Sequence, residues 1–107
     1  MTAAPARPLD RASLELPRAP IRIVHLGVGS FFRAHLAWYT AQAADAYAWG
    51  IAGFSGRGAG VIQALQRQDG LYTLITRDAA GDGVEVVASL SALHQGDDVV
   101  QLVEYAA

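Results

Sequence analysis

Residues 21–35, IRIVHLGVGSFFRAH, constrain this chain more than any other stretch. The apolar residues Ile21, Ile23, Val24 and Leu26 run into Gly27-Val28-Gly29, and a segment of helical character begins directly after. Strand, tight glycine turn and helix N-terminus in succession present free backbone N–H groups to an anion. Open α/β sheets hold a dinucleotide pyrophosphate in this way. The nearly continuous apolar content predicts a strand covered on both faces of a parallel sheet. His25 is its polar exception and is expected to be hydrogen-bonded at the strand end.

The fingerprint for dinucleotides is G-x-G-x-x-G, in which the first glycine permits the turn, the second the approach of the pyrophosphate, and the third close helix–strand packing. Gly27 and Gly29 fill the first two places and Phe32 stands in the third. The cradle expected here consists of Gly27, Val28, Gly29, Ser30, Phe31 and Phe32, whose amides and helix dipole would hold the phosphates. Arg33 either adds a cationic hydrogen bond or is an ordinary helix-surface arginine. A ribose-binding acid is expected about 20 residues beyond the glycines. Ser55-Gly56-Arg57 occupies that place instead. Arg57 suits the 2′-phosphate of NADP or is a plain loop arginine, so NAD and NADP both stay open.

The remaining elements follow in order. Residues 1–20, rich in Ala, Pro and Arg, read as a flexible arm. A first helix is expected over residues 30–46, with Ser30 as N-cap and Phe32, Leu36, Tyr39 and Ala43 on its buried face. Residues 49–54 form a second strand, 55–60 a loop at its carboxyl end, and 61–68 a short helix with Ile62 and Leu65 inward. Asp69-Gly70 marks a turn. Residues 71–76 and 84–89 read as a hairpin joined through 77–83, which makes the sheet mixed. Asp97 or Asp98 caps a last helix over 99–105.

Composition closes off other classes. The chain has 107 residues, 52% of them apolar and 17% charged, so a packed core is expected. A net charge of −2 with no basic stripe gives no sign of a nucleic-acid partner. No run reaches the ~18–20 apolar residues of a membrane span. No cysteine is present, and the N-terminus lacks a secretory apolar region, so the cytoplasm is the expected setting. Gly81-Asp82-Gly83 and Asp97-Asp98 lack the spacing of a metal loop.

The run IVHLGVGSFFRAH resembles the opening of the mannitol dehydrogenase family, long-chain polyol dehydrogenases that include fructuronate and tagaturonate reductases. Their G-x-G-x-F-x-R-A-H signature maps onto Gly27, Gly29, Phe31, Arg33, Ala34 and His35, with Phe32 where many members carry histidine. Trp49-Gly50-Ile51 and residues 68–74, QDGLYTL, agree as well. The resemblance implies an α/β, Rossmann-like domain over residues 21–107: a partial doubly wound sheet with an additional β-hairpin.

It also implies hydride transfer between NAD or NADP and a secondary alcohol of a sugar alcohol, or the matching ketose or keto-uronate. The family's catalytic lysine lies in a C-terminal helical domain. All eight basic residues here are arginines, so the chain is expected to be an N-terminal fragment, inactive alone, that meets its sugar substrate through a domain outside this sequence. Two rivals are a non-catalytic nucleotide-binding or interaction module from a truncated gene, and a Rossmann domain for S-adenosylmethionine.

Overall fold

The computed structural model describes residues 9–56 and 60–106. In chain order, α1 (Arg11–Leu14) precedes β1 (Ile21–Leu26). Next come α2 (Ser30–Ala34), α3 (Leu36–Gln42), a 3-10 turn (Ala46–Ala48), β2 (Gly50–Phe54) and α4 (Gly60–Arg67). β3 (Tyr72–Asp78), β4 (Gly81–Val87), β5 (Leu90–His94) and α5 (Val99–Ala106) complete the described chain. β1, β2 and β5 form a parallel sheet in the order β1-β2-β5, and β3 with β4 forms a separate antiparallel pair. The α/β class, the partial parallel sheet and the extra hairpin are as expected. The mixed sheet is not, because the hairpin pairs only with itself.

β5 takes the third place in the sheet, where the sequence suggested no strand. Its apolar run is broken by Ser91 and preceded by Ser89. Both serines are buried, and each hydroxyl finds a carbonyl: Ser89 donates to Ala37 and Ser91 to Ala19, both at 2.6 Å. Buried hydroxyls satisfied in this way cost little, so polar residues sit inside the fold without breaking the strand. The hairpin loop is also tighter than expected. Asp78 pairs with Gly81, leaving two residues in the loop, and Gly81 adopts φ +123°, which a side chain would disfavour.

The expected long helix is broken. His35 has φ −119° and ψ −87°, ending α2 and starting α3. The break rotates the later residues, so Leu36 and Tyr39 face solvent while Ala37 is fully buried. Ala43 lies beyond the end of α3 and is exposed. α4 behaves as its periodicity predicts: Ile62 and Leu65 are buried. With Val28, Phe32, Ala37, Ile51, Tyr72, Val87, Leu90 and Leu93 they form the core. β2 is central and buried along its whole length. β1 is not covered on both faces. Its residues alternate, and Val24 and Leu26 are exposed. Across the second face, α5 brings Tyr105 against Phe54 and His94 of the neighbouring strands, which leaves β1 bare.

The segment read as a loose arm is docked over residues 9–20. Asp10 caps α1 by accepting from the Ser13 amide at 2.6 Å. Arg11 is buried, and its guanidinium donates to the carbonyls of Asp69, Leu16, Pro17, Ala88 and Leu90. Burial makes its charged form harder to hold, so the guanidinium is pushed below its ordinary pKa range. Five accepting carbonyls compensate. An alanine- and proline-rich composition gives no hint that Arg11, together with Arg18, which donates to Ser91 O at 2.7 Å and pairs with Asp69 at 3.6 Å, ties the segment to the start of β5 and the turn before β3.

Candidate functional site

The site lies at the carboxyl ends of the parallel strands. Gly27 leaves β1 with φ +102° and donates its amide to the Phe54 carbonyl at 2.6 Å, which ties the ends of β1 and β2 together. That amide is therefore spent. The amides of Val28, Gly29, Ser30, Phe31 and Phe32 have no protein acceptor among the described residues, and the first helical bond runs from Arg33 N to Gly29 O at 3.0 Å. Gly29, not Ser30, is the N-cap, and it brings no capping side chain. An uncapped first turn keeps its N–H groups available to a ligand.

Side chains around the turn divide by direction. Val28 packs inward on Gly53, where an added Cβ would stand 3.1 Å from its Cγ2 atom. Gly29 has φ −76°, ordinary for any residue, and a Cβ there would meet nothing within 4 Å. The space beside it is open. Gly27, Val28 and Gly29 share a cleft of about 230 Å³ with Ser55, Gly56, Val61 and Ile62. Ser55 is held by two bonds: its amide donates to His94 O at 3.0 Å, and its hydroxyl accepts from the Gly96 amide at 2.8 Å. A second cavity, about 340 Å³ and largely apolar, lies between the N-terminal segment, α3 and β4. Its lining includes Ala19 and Ser89, near the amino ends of the strands, away from the crevice where open α/β sheets bind ligands.

The other predicted residues do not all converge. Phe31 is exposed and stacks on His35 at 4.0 Å. Phe32 is buried and stacks on His25 at 4.1 Å. Arg33 folds back along α2, with long contacts to Gly29 O (3.4 Å) and Ser30 Oγ (3.5 Å). These are weak bonds, so the guanidinium is not locked to the protein. Arg57 lies outside the described residues. His25, expected to be hydrogen-bonded at the strand end, bonds through Nδ1 to the Gly27 carbonyl at 2.8 Å.

A sequence model described as the mannitol dehydrogenase Rossmann domain matches residues 21–107. The chain belongs to this family. Within the mannitol dehydrogenase family, mannitol 2-dehydrogenase of Aspergillus terreus is 43% identical over 75 residues, covering 65% of this chain and 15% of that protein. D-mannonate oxidoreductase of Escherichia coli K12 is 36% identical over 93 residues, covering 81% and 19%. The solved ternary complex of Pseudomonas fluorescens mannitol 2-dehydrogenase with NAD and D-mannitol superposes with a TM-score of 0.67 at 30% identity, covering 82% of this chain and 19% of that one. The chain thus spans less than a fifth of the length of these relatives.

As a mannitol dehydrogenase family Rossmann domain, the chain presents acceptor-free backbone amides at its glycine turn. Sequence reasoning placed the glycine turn and the loop supplying Ser55 and Gly56. It missed Val61 and Ile62 as part of the cleft wall, since helical periodicity marks Ile62 only as inward-facing. Nothing in the sequence showed that His25 and Phe32 form a stacked pair beneath the turn.

Proposed function

We propose that this chain forms the dinucleotide-binding portion of an oxidoreductase that moves a hydride between NAD(P) and a secondary alcohol of a sugar alcohol, or the corresponding ketose or keto-uronate. The observation that carries the proposal is the run of acceptor-free amides from Val28 to Phe32, opening on the cleft beside Gly29. Those amides would hold the pyrophosphate, with Arg33 free to reach it. The bound nicotinamide supplies the hydride acceptor or donor. Family membership and the sugar-alcohol relatives support the substrate class.

Ser55 and Gly56 stand where a ribose-binding acid is expected. Neither repels a 2′-phosphate, so we assign the chain either NAD or NADP. The sequence contains no lysine, and the general base implied by the family comes from other residues of a larger protein. The chain alone should bind the dinucleotide without turning over a sugar.

Gly29→Ala tests the cradle. Its φ of −76° and the open space around it predict a folded variant with little change in stability. The added methyl enters the space needed by the pyrophosphate and should weaken NADH and NADPH binding at least about tenfold. Unchanged binding of both nucleotides, followed by nicotinamide fluorescence, would remove the turn from the site.

A further inference from the structure

His25 has no place in the cofactor fingerprint, yet it makes the closest side-chain bond to the glycine turn, from Nδ1 to Gly27 O at 2.8 Å. A carbonyl only accepts, so Nδ1 carries the proton. The imidazole ring lies on Phe32, with centroids 4.1 Å apart and planes 21° from parallel. Phe32 is itself buried in the core. The ring is therefore fixed by the core on one side and fixes a backbone carbonyl on the other.

The consequence follows from the planarity of the peptide. In a trans peptide the C=O and the following N–H point in opposite directions. Holding Gly27 C=O toward His25 aims Val28 N–H the other way, away from the imidazole. Glycine populates several φ regions, so the Gly27–Val28 peptide would otherwise be free to turn over. We propose that His25 is a positioning residue that locks this peptide with Val28 N–H facing the pyrophosphate site, and that Phe32 serves as its clamp. The inference rests on the dinucleotide function proposed above. It also accounts for a large aromatic residue in the third-glycine place: helix–strand closeness is replaced there by a stacked pair.

Two variants separate the lock from general packing. His25→Phe keeps a ring on Phe32 and loses the donor, and His25→Asn keeps a donor near the Nδ1 position and loses the ring. Losing one such hydrogen bond should weaken NADH binding by roughly fivefold to tenfold in His25→Phe, while His25→Asn stays within about threefold of the native chain. Melting should order the two the other way, because His25→Asn loses more packing. Native-like NADH affinity in His25→Phe, or equal losses in both variants, overturns the lock. Long-range proton–nitrogen NMR of the native chain gives a readout independent of binding and of variant folding: neutral His25 should be protonated at Nδ1, and an Nε2–H tautomer overturns the proposal. If the native chain binds no NADH, the dinucleotide function fails, while the tautomer still reports whether the lock exists.

Discussion

Replacing Arg11 by methionine should destabilise the domain more than any surface change, although Arg11 lies far from the glycine turn. The guanidinium makes five side-chain bonds to carbonyls, and two of them, to Asp69 O at 2.8 Å and Leu90 O at 2.7 Å, are short. Hydrogen bonds to charged groups contribute about 1.5–3 kcal/mol each, so these two alone are worth ~3–6 kcal/mol before desolvation is counted. Removing the buried cation returns part of that, since its burial was costly. Methionine retains the apolar stem. A net loss of about 3 kcal/mol remains, a large share of the ~5–15 kcal/mol that holds a domain together. Thermal melting by circular dichroism should fall by ~12–24 °C, given ~4–8 °C per kcal/mol at this size. Arg11→Lys should recover less than half, because an ammonium cannot reach carbonyls spread around a planar fork. Arg67→Ala is the control: Arg67 lies exposed on α4, and its loss should cost less than about 0.5 kcal/mol. A loss below ~1 kcal/mol for Arg11→Met would show that water replaces the guanidinium, and that the N-terminal segment is not anchored by it.

Two other outcomes are expected. The Asp10 carboxyl lies below its ordinary pKa because the Ser13 amide, then the Ser13 hydroxyl, donate to it. A folded pKa below the unfolded one gives stability that is complete above pH ~4 and is lost as the pH falls through the folded value. The stability difference between the native chain and Asp10→Asn, followed by denaturant melts from pH 6 downward, should therefore shrink under acid; a constant difference would contradict the cap. Separately, Val24 and Leu26 on β1, with Val99, Val100 and Val103 on α5, leave apolar surface uncovered. The 107-residue chain should self-associate as its concentration rises, and a monodisperse monomer in sedimentation would contradict this.

What the sequence determined by itself was local. The apolar run of β1, the glycine pair and the amphipathic period of α4 each depend on residues close in the chain, and each formed where expected. Family signature residues set the same turn in its chemical context. Tertiary structure decided the rest. Arg11 is buried only because carbonyls from residues 16 to 90 converge on it. β5 is a strand because Ala37 and Ala19 carbonyls accept its flanking and internal serine hydroxyls, and because β2 offers it a parallel edge. The break at His35 turns Leu36 and Tyr39 outward, overriding a periodicity that assumed one straight helix. The hairpin stays outside the parallel sheet because β5 fills the place beside β2. At the site, a glycine pair announces the turn, but which amides remain free depends on Phe54 taking the Gly27 N–H and His25 holding the Gly27 carbonyl. Those partners come from a neighbouring strand and a stacked ring, and no spacing rule along the chain encodes either.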